Sequence, residues 1–187
     1  MRINKELKIE KIVSKDECRI VLQNINIQKN PVGDGAVAVA CDGMRLVVVP
    51  VEIDNESEYG PLQKQALIQG RKESPKSMKD VDIKLNGDVE IFGGIKMPRL
   101  KVADVGNYPN IKHVIPEPDR PVKLRVSFNA KLLAEMQEAM GSESVIIECS
   151  EDEETHYPLP ILVKPGDGKH TGGKGFGVLM PMKISGS

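Results

Sequence analysis

Residues 36–54 of this 187-residue chain read AVAVACDGMRLVVVPVEID, and this stretch decides the fold. Two apolar runs flank Asp42-Gly43, a dipeptide that favours a hairpin turn. The second run, Leu46 to Val51, is nearly all apolar and β-branched, a composition that favours a strand over a helix. We therefore predict two antiparallel strands joined by a tight turn.

The segments around this hairpin extend its pattern. Residues 18–28 alternate apolar and polar side chains, and the sequence NPVGDG at 30–35 has the residues of a turn. Residues 2–13 alternate more loosely, as in an edge strand. The first third of the chain is thus predicted to be a β-meander. Further strands are predicted at 81–85, 89–92, 95–105, 122–128, 144–149, 159–164 and 176–184.

Helices are predicted at two places. Residues 61–79 have apolar residues at helical spacing, but Gly70 and Pro75 limit any helix there to about two turns. Residues 130–140 form the clear helix, with Asn129 as a good N-cap. Its apolar stripe consists of Leu132, Leu133, Met136 and Met140. The predicted fold class is α+β, mostly antiparallel sheet, with one clear helix and a short broken one.

Composition narrows the classes of function. Aromatic residues make up 3% of the chain and Trp is absent, which disfavours a surface that stacks single-stranded bases. The net charge is −1, so any contact with nucleic acid must come from a local patch. Candidate DNA-contacting residues lie in 64–79, although a solvated loop face explains them equally well. They are Lys64, Arg71, Lys72, Lys76 and Lys79.

The sequence contains no constellation of catalytic or metal-binding residues. His113, His156 and His170 stand alone in predicted loops, and the three cysteines have no metal or redox spacing. The Gly-rich loop near 166–177 lacks the Ser or Thr and the helix of a phosphate loop. We predict no enzymatic activity, metal, cofactor or small-molecule substrate. No signal peptide or membrane span is recognised, so we expect a cytoplasmic protein.

Several segments resemble, in order and spacing, signatures of the bacterial sliding clamp family, the β subunit of DNA polymerase III. Residues 40–46, ACDGMRL, resemble the clamp sequence A-T-D-G-H/Y-R-L. Residues 106–116, GNYPNIKHVIP, resemble G-x-F/Y-P-D-Y-R-R-V-I/L-P. Residues 128–133, FNAKLL, and 178–184, VLMPMKI, resemble F-N-x-x-Y-L/V-L and the closing V-V-M-P-M-R-L.

The resemblance implies a clamp-like fold in two parts. Residues 1–116 would correspond to the middle clamp domain with its first helix lost, and residues 117–187 to the C-terminal half of the last domain. It also implies a non-enzymatic accessory protein of DNA replication that binds short peptides of a DNA polymerase or clamp loader. Double-stranded DNA and further copies of the chain are additional expected partners, and the reduced size suggests a phage or mobile-element origin.

In the family, the peptide groove lies between the middle and last domains, and the resemblance places its residues here by position. They are Cys41, Gly43, Met44, Arg45, Leu46, Pro109, His113, Val114, Val178, Leu179, Met180, Pro181 and Met182. Met and Val side chains offer adaptable apolar contacts. The alternative, that these are core residues of hairpins, suits Leu46 and Val178 better than Met44 or Met180.

Two other functions remain open. The first is a processivity factor that forms a ring around DNA. The clear helix carries Lys131 against Glu135 and Glu138, which is a poor lining for a duplex, so such a ring would need an unusual oligomer. The second is a structural or regulatory interaction module that reuses the clamp sheet without acting on DNA.

Overall fold

The computed structural model describes residues 1–85, 87–116, 121–122, 124–155, 157–166 and 175–182. The chain divides into two compact units, Met1–Pro118 (unit 1) and Asp119–Ser187 (unit 2). The described residues form three antiparallel sheets and three α-helices. The prediction of an α+β fold dominated by antiparallel sheet is confirmed.

In unit 1 the described residues form two four-stranded sheets, with the strand orders β4-β3-β2-β5 and β1-β6-β7-β8. The predicted hairpin is present as β3 and β4, with Ala36 opposite Val51 and Cys41 opposite Leu46. The strands are β1 (Arg2–Asn4), β2 (Asn24–Lys29), β3 (Ala36–Cys41), β4 (Leu46–Val51), β5 (Gly60–Gln63), β6 (Asp80–Lys84), β7 (Val89–Ile91) and β8 (Ile95–Met97).

In unit 1, the first strand of each half of the unit belongs to the sheet formed by the other half. In chain order the unit consists of two groups, β1 to β4 and β5 to β8. Strand β1 pairs with β6 of the other group, with Ile3 opposite Val81. Strand β5 pairs with β2 of the first group, with Leu62 opposite Ile25. All four of these side chains are buried in one core, so the exchange ties the two groups together.

Helix α1 (Lys64–Glu73) packs on this core through Ala66, Leu67 and Gly70. The prediction that Gly70 would help to limit the helix to about two turns is wrong, because the helix has 10 residues and passes through that glycine. A Cβ on Gly70 would lie 2.6 Å from Cγ1 of Val81, so glycine allows the helix to approach the sheet. The helix ends before Pro75, as expected.

Several predicted strands of unit 1 are shorter than expected. Of residues 2–13 only β1 is extended, and a 3-10 turn follows at Ile9–Lys11. In 18–28 a 3-10 turn at Ile20–Gln23 precedes β2. Strand β8 ends before Pro98, which cannot donate to a ladder. The short helix α2 (Val102–Val105) then replaces the end of the strand predicted at 95–105.

The described residues of unit 2 form one helix and one sheet. Helix α3 (Ala130–Ala139) confirms the predicted clear helix, and the Asn129 Oδ1 accepts a hydrogen bond from the Lys131 N–H at 2.9 Å. The sheet has the order β11-β10-β9, with β9 (Val145–Glu148), β10 (Ile161–Pro165) and β11 (Gly177–Leu179). Leu132 of the predicted stripe is 46% exposed, whereas the other stripe residues pack on the core. Core residues are Ile161, Val163 and Leu179.

The strand predicted at 122–128 is not formed. Among the described residues of this segment, the only ladder contact is an isolated bridge between Ser127 and Met182. The alternation of its side chains remains, because Val126 and Phe128 still pack against the core of unit 2. The segment therefore has the sequence of a strand without a neighbouring strand to pair with.

Some predictions fall outside the described residues. These include the turn at Asn86, the isolated His156 and His170, most of the Gly-rich loop and the end of the strand predicted at 176–184.

Candidate functional site

Asp42 fixes the turn between β3 and β4. Its Oδ1 accepts hydrogen bonds from the backbone N–H groups of Met44 at 3.0 Å and Arg45 at 2.8 Å. Its Oδ2 accepts from the Arg45 guanidinium, with Nη2 at 2.7 Å. The Arg45 side chain, followed by these two backbone donors, lowers the pKa of Asp42 from 3.8 to about 2. The Asp42 carboxylate therefore holds the turn through its bonds to the Arg45 guanidinium and to two backbone N–H groups.

Gly43 and Met44 form the tip of this turn. Gly43 has φ +93°, a conformation that L side chains rarely adopt, and its N–H donates to Cys41 Sγ at 3.3 Å. Met44 is 91% exposed, although its side chain is apolar. The turn therefore presents a flexible apolar side chain to solvent from a fixed backbone.

The segment after α2, residues 106–116 (the connector), packs against the outer face of the same hairpin. Tyr108, Ile111 and Ile115 of the connector contact a small cluster on β3 and β4. The hairpin residues of this cluster are Val37, Val39, Leu46 and Val48. Burial raises the pKa of the Tyr108 phenol. The first two segments that resemble clamp signatures are therefore brought together within unit 1.

The predicted groove residues of unit 1 differ in exposure. Pro109, His113 and Val114 are exposed on the connector, with Val114 67% exposed. The Arg45 side chain is 61% exposed, and its guanidinium is bound to Asp42. Cys41 is half-buried, and Leu46 is half-buried within the hairpin cluster. Met44 and Val114 are consequently the large apolar side chains that this surface offers to a partner.

The predicted groove residues of unit 2 lie on and after β11. Val178 is 54%, Met180 66% and Met182 55% exposed, and Pro181 is half-buried. Leu179 is 5% exposed and belongs to the core, so its side chain is not available to a partner. The interpretation of Val178 as a core residue is wrong, because the alternation of the strand directs it to the other face of the sheet.

The residues of the predicted basic patch differ in their exposure and in their bonding partners. The Arg71 guanidinium bonds to Glu10, with Nη1 and Oε1 2.7 Å apart, and to the Leu7 carbonyl at 2.9 Å. Arg71 is therefore engaged inside unit 1 and joins α1 to the 3-10 turn after β1. Lys64 is half-buried, whereas Lys72, Lys76 and Lys79 are exposed.

Sequence reasoning did not identify Tyr108, Ile111 and Ile115 as the anchors of the connector. The signal was available, because these apolar residues recur at intervals of three and four in a segment otherwise rich in proline and polar residues. In the part of the chain that the structure describes, no group of three or more His, Cys, Asp or Glu residues could hold a metal ion. None of the described helices is long and apolar enough to cross a membrane.

Comparison with known proteins shows similarity in structure. No protein-family model and no curated protein matches this chain. The DNA polymerase sliding clamp of Bacillus subtilis matches with a TM-score of 0.61 and 17% identity, over 97% of this chain and 48% of the clamp. The DNA polymerase β subunit of Streptococcus pyogenes matches with a TM-score of 0.60 and 15% identity, over 98% and 50%.

A third match is the DNA polymerase III β subunit of Borrelia burgdorferi, solved in complex with a natural product. Its TM-score is 0.62 and its identity 16%, over 95% of this chain and 47% of that protein. The chain thus spans about half the length of these clamps. The predicted clamp-like fold is confirmed.

Proposed function

We propose that this chain is a non-enzymatic, clamp-like accessory protein of DNA replication that binds a short apolar peptide of a DNA polymerase or clamp loader. The observation that carries the proposal is Met44, which is 91% exposed on a turn held by Asp42. An exposed apolar side chain on a rigid backbone favours binding, because little conformational freedom of the backbone is lost.

The other exposed apolar residues support the same function. Val114 on the connector of unit 1 and Met180 on unit 2 occupy positions that match clamp sequences at the peptide groove. Methionine side chains adapt to ligands of different shape, which suits capture of peptides from more than one partner. Arg45, whose charge is balanced by Asp42, adds a polar group beside Met44 without an unpaired charge.

Peptide titration tests this function. A fluorescein-labelled synthetic peptide with the clamp-interaction sequence of a bacterial replicative polymerase is titrated with the wild-type chain, Met44→Asp and Met180→Asp. Each substitution places a charge where an apolar contact is proposed, so we expect each to weaken binding at least about tenfold, or about 1.4 kcal/mol.

Matched controls are exposed apolar residues outside the proposed site. Val32 in the turn before β3 is 49% exposed, and Tyr157 in unit 2 is 66% exposed. Val32→Asp and Tyr157→Asp should bind the peptide as the wild type does. The proposal fails if the wild type does not bind, or if the control and site variants bind equally well.

A second partner is proposed for the exposed lysines of unit 1. Lys72, Lys76 and Lys79 lie at and after the end of α1, and none of them forms an ion pair in the described part of the chain within 4.0 Å. Such groups suit the phosphate backbone of double-stranded DNA. This contact would accompany peptide binding in a replication accessory protein.

A further inference from the structure

Unit 1 shows how two groups of strands complete each other. The outer strand β1 bonds on one edge to its own group, where the Arg2 N–H donates to the Glu52 carbonyl at 2.7 Å. Its other edge pairs with β6 of the second group, and Ile3 lies opposite Val81. Each group therefore supplies an extended segment that continues the sheet of the other group.

One such group is present in the described part of unit 2. The segment Leu124 to Phe128, in which Val126 and Phe128 pack on the core, is followed by α3 and then by β9, β10 and β11. The segment bonds to its own group, because the Met182 N–H donates to the Ser127 carbonyl at 2.7 Å. In this respect Ser127 corresponds to Arg2 of unit 1. The second group that would pair with the segment is absent from the described part of unit 2.

Two edges of unit 2 are left facing outward. Since Ser127 bonds towards β11, the backbone groups of its neighbours Val126 and Phe128 point to the opposite edge. Immediately before β9, the Ser144 carbonyl accepts from the N–H of Gly166, which directly follows β10, at 2.9 Å. By the same alternation, the backbone groups of Val145 and Ile147 point away from β10.

We propose that a second copy of this chain completes unit 2 by exchanging these strands around a two-fold axis. The segment Leu124 to Phe128 of each copy pairs antiparallel with β9 of the other. The register is taken from unit 1, where Ile3 of the exchanged strand lies opposite Val81 of β6. Since Ser127 corresponds to Arg2, Phe128 takes the place of Ile3.

Strand β9 follows the pattern of β6, in which Val81 and Ile83 face the core. Val145 and Ile147 occupy the same face of β9 because they lie opposite Pro165 and Val163 of β10. In the proposed register, Phe128 pairs with Val145 of the second copy and Val126 pairs with Ile147. Ser127 then lies opposite Ile146.

The chemistry of the two edges fits this register. Val126 and Phe128 would meet two β-branched residues, which are favourable cross-strand neighbours. One step further, Arg125 would lie opposite Glu148 of the second copy, a pair of opposite charge. Glu148 is already 2.7 Å from Lys164 on the adjacent strand, so the exchange buries no unbalanced carboxylate.

The small core of unit 2 supports a second copy as the occupant. Among its described residues the buried apolar side chains are Ile161, Val163 and Leu179, while Ile146 and Ile147 on the edge strand are each 39% exposed. Units of this size bury too little apolar surface to be very stable alone, and association with another chain is a common remedy. A two-fold exchange satisfies both outward edges in each copy.

Disulfide trapping tests the register. Ser127→Cys and Ile146→Cys are combined in a full-length chain in which Cys18, Cys41 and Cys149 are replaced by Ser. The proposed pair is not hydrogen-bonded, so its Cα atoms would be about 4.5 Å apart, within the range of a disulfide. Within one copy Ser127 lies beyond the β11 edge of the sheet and Ile146 lies on β9, so three inter-strand spacings, about 14 Å, separate them. We expect mild oxidation to produce a covalent dimer that dithiothreitol reverses.

The matched control shifts the second cysteine by two residues, with Ser127→Cys combined with Glu148→Cys. It should form at least about fivefold less covalent dimer, because the two Cα atoms would be displaced by about 6.6 Å along the strand. Light scattering on the unmodified wild type should give twice the 20.5 kDa chain mass. A wild-type monomer at about 50 µM, or equal trapping by both pairs, overturns the proposal. The peptide titration has a separate readout, so either proposal can fail alone.

Discussion

The carboxylate of Asp42 and the guanidinium of Arg45 meet 2.7 Å apart across the β3–β4 turn. The same carboxylate also accepts the N–H groups of Met44 and Arg45. One acidic side chain therefore determines the backbone from which Met44 projects.

Asp42→Asn should make the protein less stable near neutral pH, with a difference from the wild type that becomes smaller in acid. The pKa of Asp42 is about 2 in the folded protein and 3.8 in the absence of its partners. A lowered folded pKa contributes stability above pH 3.8, and this contribution is lost as the pH falls from about 4 to about 2. Urea unfolding of both proteins between pH 7 and pH 2.5 measures the difference.

Arg45→Ala is the comparison for this pH dependence. It removes the main cause of the low pKa but leaves the two backbone donors to Oδ1. A smaller acid-dependent difference is therefore expected for Arg45→Ala than for Asp42→Asn. A constant gap between Asp42→Asn and the wild type at every pH would contradict the role assigned to the carboxylate.

Glu58→Gln should destabilise unit 1 by about 3–5 kcal/mol, because it removes one partner of a buried ion pair. The Glu58 Oε2 lies 2.8 Å from the Met1 ammonium, and both groups are at most 1% exposed. The ammonium also donates to the Ile83 carbonyl at 2.8 Å, so it cannot reach solvent without breaking the sheet. Urea unfolding at pH 7 measures the loss.

Glu56→Gln is the matched control for Glu58→Gln. Glu56 lies in the same 3-10 turn, but its side chain is exposed, so its substitution should change the free energy of unfolding by no more than about 0.5 kcal/mol. Equal losses for the two variants would show that the turn, rather than the buried ion pair, determines the effect.

Gly70→Ala should destabilise the protein by about 1–3 kcal/mol, although alanine is normally the better helix former. The added Cβ would lie 2.6 Å from Val81 Cγ1 and force the helix away from β6. Gln65→Ala on the exposed side of α1 should be neutral or slightly stabilising. Val81→Ala removes the clashing Cγ1, so Gly70→Ala should cost less stability in a Val81→Ala background than in the wild type. Thermal unfolding of the wild type, the two single variants and the double variant would show whether the contact is responsible.

Gly70 also illustrates what the sequence could predict and what it could not. The hairpin of β3 and β4, the helix α3 and the N-cap Asn129 are determined by neighbouring residues, and all were predicted correctly. Whether Gly70 ends a helix or lets it approach a sheet depends on Val81, which is distant in sequence. Local pattern carries no information about such a contact.

The segment 122–128 and the connector show the same limit for strands and sites. The alternation at 122–128 is that of a strand, yet a strand also requires a partner, and the described residues of unit 2 provide one bridge. Within the candidate site, the exposure of Met44 was predicted from its position in a turn. The engagement of Arg71 by Glu10 was not, because the two residues lie 61 positions apart.

The exposed lysines of unit 1 give the last prediction. Replacing Lys72, Lys76 and Lys79 by Gln should weaken binding to a 30-base-pair duplex. It should also make the fall of log affinity with log salt less steep. The magnitude of this slope should be lower by up to about 2.7, roughly 0.9 for each phosphate that is no longer neutralised. The control replaces three lysines that are exposed elsewhere in unit 1, Lys29, Lys96 and Lys112. Both triple variants lose the same net charge, so a general effect of charge would lower both slopes equally. A lower slope in the first variant alone would locate the DNA-binding surface at the end of α1, and unchanged slopes in both would exclude it.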